Sequence, residues 1–506
     1  MLLLNALVFD GSGAEPYRAS ILVKGDRIER IAPDLQVANC PVLDCSGFAV
    51  CPGFIDLHSH SDVQVLEHRT EKLNQGITTE VVGNCGFSPF PLSENLREFA
   101  GGILGREGDW GWPSARAYLE ALGEAEADTR SLALAGHGSL RVAVCGLRQD
   151  PLPARELDRL AGLLEESLDA GCVGFSTGLM YAPGSAAGRE ELEPLCRIVA
   201  KKGKLYATHM RSYSAGLLDA LREQIDLAER TGCRLQVSHL QAAGRKYWPL
   251  QEPALAEIEL AHDRGIDIEF DIYPYQCGST VLTQLLPQWT LDGGTDALLA
   301  RLRDQATRRA ILEEMESSGA KLWSDVTISS VASSKNADTV GKTVTEVAAL
   351  CGEDPGECAL DLLVEEQGAV NMITFNQSEE NLRQLITHPL CSVITDGFYV
   401  KGKPHPRLYG TYPELLGRLV RERKWLSLAE AIYKSTGKPA MRLNLRDRGL
   451  LRPGYIADLV IFDPAHIASH ATYEAPEASP EGIAQIIKNG HVAVMYGNPL
   501  LTRGVL

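Results

Sequence analysis

Through the middle of the chain, short apolar runs that end in polar residues alternate with longer stretches whose apolar positions recur at intervals of three and four. A brief continuous apolar run fits a buried strand, and the three-four recurrence fits a helix packed on a sheet. The runs predict strands at Phe54 to His58, Thr78 to Val82, Ser131 to Ala135, Cys172 to Ser176, Leu205 to Thr208, Leu235 to Ser238, Ile266 to Ile272 and Cys391 to Ile394. Between them, segments such as Glu156 to Ala170 and Gly216 to Arg230 carry the helical spacing. Eight strands alternating with helices predict an α/β fold, the (β/α)8 or TIM barrel.

The strand ends are evenly spaced until late in the chain. From His209 to His239 is 30 residues and from His239 to Asp271 is 32, but from Asp271 to Asp396 is 125. That gap predicts an insertion between the seventh and eighth strands, a subdomain or lid at about residues 285–375, with strands of its own at Val326 to Val331 and Val370 to Phe375. Residues 1–52 read differently, as short strands punctuated by turns: Leu2 to Phe9, Ser20 to Val23, Arg27 to Ile31 after the Gly25-Asp26 turn, and Phe48 to Cys51. The same grammar returns at Asp458 to Phe462 and at Ala484 to Met495 around Asn489-Gly490. Neither end has enough strand to bury a sheet alone. The expected organisation is therefore a small β-sandwich domain built from 1–52 and 449–506, flanking a catalytic barrel at 53–448.

Composition narrows the function classes. The 506 residues are 44% hydrophobic and 23% charged, a globular mixture, and 49 Lys and Arg against 66 Asp and Glu give a net charge of −17. That field repels nucleic-acid backbones and anionic lipid heads, although a few buried cations can still bind a small anion. No stretch approaches the ~18 uninterrupted apolar residues of a membrane span. The first ten residues lack a basic start and carry Asn5 and Asp10, so no secretory signal is expected there. Twelve Cys between Cys40 and Cys391, with no C-x-x-C pair, predict reduced thiols and a cytoplasmic protein.

Catalytic groups of such barrels gather at the C-terminal strand ends. Here those ends carry His58 and His60, then Cys85, His209, His239 and Asp396. His-x-His is a metal-ligand spacing, because alternate residues of a strand share a face. A lone His is usually a satisfied polar residue and a lone Cys a small buried hydrophobe, as expected for His262, His491 and most of the thiols. Six such residues on five strand ends of one barrel form a cluster.

This order of ligands resembles the amidohydrolase superfamily. The runs Gly83-Asn84-Cys85-Gly86, Gly174-Phe175-Ser176-Thr177-Gly178-Leu179, Thr208-His209-Met210-Arg211, Ser238-His239-Leu240, His405-Pro406-Arg407 and Gly410-Thr411-Tyr412-Pro413 are similar to the N-acyl-D-amino-acid deacylases within it. Arg452-Pro453-Gly454-Tyr455-Ile456-Ala457-Asp458-Leu459 resembles a closing signature of the superfamily. Relatives such as dihydroorotases use a carboxylated Lys at the fourth strand end, where this chain has Ser176-Thr177-Gly178; Cys85 is the natural substitute. The resemblance implies one tight Zn2+ on Cys85, His209 and His239, a weaker or vacant second position at His58 and His60, and Asp396 as the catalytic acid and base. It implies hydrolysis of an N-acyl-D-amino acid to a carboxylate and a free D-amino acid.

An α-carboxylate on the substrate calls for a cation. Lys246 and Arg407 are the candidates, each equally readable as a solvated surface charge, with Tyr181 and Tyr275 as hydroxyl donors. His137 is either a carbonyl-oxygen stabiliser or a packing residue. Gln288, among apolar neighbours, favours neutral or hydrophobic amino-acid side chains. Two other readings stand beside this one: a cyclic-amide hydrolase of hydantoinase or dihydroorotase kind, and a catalytically inactive binding protein.

Overall fold

The computed structural model describes residues 1–125, 127–318, 322–495 and 502–503. The expected stretches 53–448, 285–375 and 449–506 each include residues outside these: 126, then 319–321, then 496–501 with 504–506. At the centre, β1 (Phe54–Asp56), β2 (Ile77–Val82), β3 (Arg130–Gly136), β4 (Gly174–Gly178), β5 (Leu205–His209), β6 (Arg234–Val237), β7 (Ile268–Ile272) and β8 (Cys391–Val393) form one sheet in chain order. Every adjacent pair is parallel. The sheet closes into a barrel just beyond β1 and β8, where Ser59 bridges Gly397, the Asp396 amide donates to His58 O at 2.8 Å and the His60 amide donates to Gly397 O at 3.0 Å.

A buried charged network holds that seam. The Lys72 ammonium donates to Asp56 Oδ2 and Thr395 Oγ1, both at 2.7 Å, and to Ser59 Oγ at 3.1 Å, while the Thr395 amide donates to Asp56 Oδ1 at 2.9 Å. A buried cation survives only when its donors are met, and here all three are. The flanking helices pack as their spacing implies. Ala154–Ala170 buries Leu160, Leu164 and Leu168, and Leu217–Thr231 buries Leu217, Leu221, Ile225 and Ala228 before ending at Gly232 in the left-handed region (φ 70°).

Both ends of the chain contribute to a second, nine-stranded sheet. Its organising strand, Leu2–Val8, pairs antiparallel with Tyr17–Lys24 and parallel with both Val42–Asp44 and Ala49–Pro52; the last of these accepts Leu459–Phe462 from the far end. Val8, Ile21, Val50, Leu459 and Ile461 meet in its core. The short strands Val42–Asp44 and Thr502–Arg503 were not anticipated, since three residues or fewer show no period.

Between β7 and β8, Cys277–Val281, Val370–Phe375 and Val326–Val331 form a three-stranded antiparallel sheet over a core of its own, including Leu302, Ile328, Leu360 and Met372. Its first strand begins before residue 285, where the inserted segment was expected to start. No helix among the described residues is long and apolar enough to cross a membrane.

Candidate active site

Three residues at the barrel mouth, Cys85, His239 and Asp396, hold the left-handed backbone conformation, with φ of 53°, 35° and 49°. Residues other than Gly avoid this region, and of the six further examples among the described residues four are Asn. Such strain clusters where the structure must aim a side chain. Here it turns a residue two or three positions beyond each strand so that thiol, imidazole and carboxylate face one another. A side chain on Gly178 would overlap the Cys85 carbonyl oxygen, so β4 ends in glycine where the Cys85 loop crosses it. β1 is shorter than expected, and His58 and His60 lie beyond it on the segment paired with Gly397 and Asp396.

Two groups of donors form. Cys85 Sγ is 3.3 Å from His58 Nε2 and 3.5 Å from His239 Nε2, and Asp396 Oδ1 is 3.3 Å from both His58 Nε2 and His60 Nε2. His209 stands beside them, its ring 4.6 Å from that of His239, with neither nitrogen hydrogen-bonded among the described residues. Burial lowers the pKa of His60 and His239 to about 4 and that of His209 well below its ordinary value. Burial also acts to lower that of His58, but Cys85 and Asp396 raise it well above the usual value. Burial raises the Cys85 thiol to about 11. At Asp396 burial acts upward, yet Arg407 and His58 hold the carboxyl well below its ordinary range. A buried thiol and four imidazoles with orphaned nitrogens fit a zinc ion, which takes sulfur and nitrogen donors.

Asp271, at the end of β7, orients this cluster and was not singled out as a site residue. Its Oδ1 accepts from the His239 amide at 2.7 Å and lies 3.5 Å from His58 Nδ1, while Oδ2 accepts from Gln236 at 2.8 Å. A carboxylate behind a ligating imidazole fixes ring orientation and tautomer. Its position at a strand end, one βα unit after His239, was the available signal. Tyr213 braces the other side, its hydroxyl donating to Ser238 O at 2.9 Å with its ring 5.0 Å from that of His209.

The sequence model of the amidohydrolase family matches residues 41–494. The chain is 33% identical over 492 residues to the D-aminoacylase of Alcaligenes xylosoxydans xylosoxydans, covering 97% of this chain and 93% of that protein. It is 34% identical to the N-acyl-D-aspartate deacylase of the same organism, covering 97% and 91%. The chain belongs to the amidohydrolase family, in the branch of the N-acyl-D-amino-acid deacylases. The crystal structure of the Bordetella bronchiseptica N-acyl-D-glutamate deacylase, complexed with zinc and a phosphonate inhibitor, superposes with a TM-score of 0.84 at 31% identity, covering 98% of this chain and 96% of that one.

In this amidohydrolase the site opens into a cavity of about 210 Å³, lined by His60, Cys85, His209, His239, Asp396, Arg407 and Tyr181 among the expected residues. Arg407 is 1% exposed and so is no solvated surface cation. Its Nη1 lies 2.8 Å from Asp396 Oδ2, Nη2 donates to Ser279 O on the inserted sheet at 3.3 Å, and the guanidinium stacks over Tyr273. Its Nε has no partner among the described residues.

Four residues expected at the substrate lie elsewhere. Lys246 is carried outward by the short helix Arg245–Leu250, its ammonium over the Tyr247 ring. Tyr275 packs edge-on against His405 behind the cavity wall. Gln288 donates to Met180 O outside the cavity, whose lining has Gln284, Leu285, Tyr273, Gln241, Asn376 and Phe398 instead.

His137 is the fourth, fully buried, with Nε2 2.8 Å from Glu191 Oε1; Arg141 donates to the other oxygen of that carboxylate. This triad supports the first turn of a helix lying against Gly86, next to Cys85. Burial raises the Glu191 pKa, but His137 and Arg141 lower it further, to a net value below the ordinary 4.5. A depressed folded value stabilises above the unfolded pKa, and the contribution disappears as pH falls through the folded one. Glu191→Gln is expected to cost about 3–5 kcal/mol at neutral pH, because Arg141 is left buried without its partner. Urea titrations should show that difference narrowing only below the ordinary carboxylate range.

Proposed function

We propose that this chain hydrolyses the amide bond of N-acyl-D-amino acids with neutral or hydrophobic side chains, releasing a carboxylate and a free D-amino acid. The observation that carries the reading is the meeting of Cys85, His58, His60, His239 and Asp396 beside His209 at the mouth of one cavity. Cys85, His209 and His239 would hold the tightly bound zinc, with His58 and His60 lining a weaker second position. The orphaned nitrogens of His209 and the soft sulfur of Cys85 support that division. A bound zinc supplies a Lewis acid that polarises the scissile carbonyl and eases loss of a proton from water.

Asp396 is ionised at neutral pH, held so by Arg407, and accepts the proton of the attacking water before passing it to the departing amine. Arg407 positions that carboxylate and offers its free Nε toward the α-carboxylate of the substrate. Tyr181 flanks His209, with its ring 4.8 Å away. Ile103, Met180, Leu285, Met372 and Phe398 line the remainder, and Arg407 is the one cation among the lining residues, already paired. An acidic side chain would find no second positive partner there, which favours apolar ones.

The barrel at 53–448 carries the reaction, the sheet from 1–52 and 449–506 supports it, and the segment at about 285–375 acts as a lid. The unpaired thiols support a reducing, cytoplasmic setting.

The test is a screen of N-acetyl-D- and N-acetyl-L-leucine, N-acetyl-D-aspartate, a hydantoin and dihydroorotate, with zinc measured on the same sample. Turnover confined to the D-leucine substrate is expected. Faster opening of either ring would establish the cyclic-amide alternative, and no turnover by zinc-replete protein would support the inactive binding protein.

A further inference from the structure

A second cavity, of about 130 Å³, lies between the helix Leu96–Leu104 and the inserted segment, next to the catalytic one. The two share Ile103, Tyr181 and Gln284 as a common wall. At that wall the Tyr181 and Thr280 hydroxyls are hydrogen-bonded, with their oxygens 3.2 Å apart. Gln284 Oε1 has no partner among the described residues.

Gly102, the second of two successive glycines inside that helix, lines the cavity. Glycine in a helix interior costs roughly 1 kcal/mol relative to alanine, so two in succession need a reason. A Cβ on Gly102 would lie 2.7 Å from Val281 Cγ1 and 3.5 Å from Arg106 Nη2. The missing side chain therefore makes room for Val281, and the Arg106 guanidinium lies beside it at ordinary contact distance. Arg106 is exposed to solvent at the cavity edge, with no hydrogen-bond or ion-pair partner among the described residues. The carboxylate of Glu98, one turn before Gly102 on the same helix, is taken by the first turn of the helix Gly294–Arg303, where the Thr295 amide donates to it at 2.7 Å.

We propose that this second cavity receives the far end of the substrate's acyl group, and that the acyl group it fits ends in a carboxylate held by Arg106. The inference rests on the deacylase reading above. In that reading the amino-acid end of the substrate is engaged by Arg407 and by the apolar wall of the first cavity. The acyl group is the remaining part of the molecule, and the second cavity is the space that adjoins the first across Ile103, Tyr181 and Gln284. An unpaired guanidinium at the far end selects an anion over a methyl group.

The experiment compares wild type with Arg106→Met, which keeps the apolar stem, on N-adipoyl-D-leucine, N-hexanoyl-D-leucine, N-acetyl-D-leucine and N-acetyl-D-glutamate. Wild type should prefer adipoyl to hexanoyl. Arg106→Met should lower kcat/KM for adipoyl by about tenfold or more, mainly through KM, while hexanoyl and acetyl change less than about twofold. Equal losses on adipoyl and hexanoyl, or no loss on either, would overturn the assignment. A loss confined to N-acetyl-D-glutamate would overturn it too, by placing the amino-acid side chain in this cavity. Turnover of N-acetyl-D-leucine without an adipoyl preference would sink this inference alone, whereas no turnover of any of the four would sink the deacylase reading with it.

Discussion

Asp396→Asn is expected to keep its zinc and lose turnover, with kcat falling by roughly 10²–10⁴-fold, the usual contribution of a positioned acid or base. The amide can still accept a hydrogen bond from Arg407, but it neither takes the proton of water nor returns one to an amine. The same change leaves Arg407, 1% exposed, without its counter-charge. An uncompensated buried charge costs about 3–5 kcal/mol, so a fall in stability should accompany the loss of rate. The two effects separate in a double mutant. Asp396→Asn with Arg407→Met should recover stability and remain inactive, because the coupling between the pair is electrostatic and the chemistry belongs to the carboxylate. Zinc analysis and kcat on the same samples check this, and a wild-type kcat in Asp396→Asn would remove Asp396 from the mechanism.

Cys85→Ala carries the second large effect. Sγ is the one soft donor within reach of both His58 and His239, and its removal leaves imidazoles and a carboxylate. Bound zinc should fall below one equivalent after dialysis, and activity should fall by about a thousandfold as several kcal/mol of metal assistance disappear. Stability separates metal loss from misfolding. Zinc that binds only the folded state raises Tm in proportion to its occupancy, so wild type should gain Tm on zinc addition and Cys85→Ala should not. The two metal-free proteins should melt at similar temperatures, since a thiol with pKa raised to about 11 by burial is a neutral group there without metal. A Cys85→Ala protein that still gains Tm and activity with zinc would show that the imidazoles suffice.

The barrel was readable because each strand is encoded within a few residues. All eight strands lie within two residues of their expected ends; the fourth is shifted by two at both, running on to Gly178 through small residues that a hydrophobic pattern does not mark. The residues that meet at the mouth were readable for the same reason. His209, His239 and Cys85 follow apolar runs directly, and the fold brings strand ends to one mouth. Loop side chains were not. Lys246 and Arg407 looked alike as loop cations, yet one lies on the surface and the other is buried on Asp396, because a short helix turns Lys246 away while the inserted strand at Ser279 covers Arg407. His137 looked like a mouth residue until Glu191, 54 positions later, claimed its imidazole.

Local chemistry along the chain thus determined the barrel, its metal-ligand residue types and the family likeness, since strand periodicity and residue identity are short-range properties. Which imidazole meets the thiol, which cation pairs with Asp396, the support of Lys72 and Asp271, and the second cavity behind Tyr181 were decided only by folding. Those relations join residues up to 323 positions apart, as between Lys72 and Thr395. Side-chain direction at such distances depends on left-handed backbone turns and burial that no local pattern records.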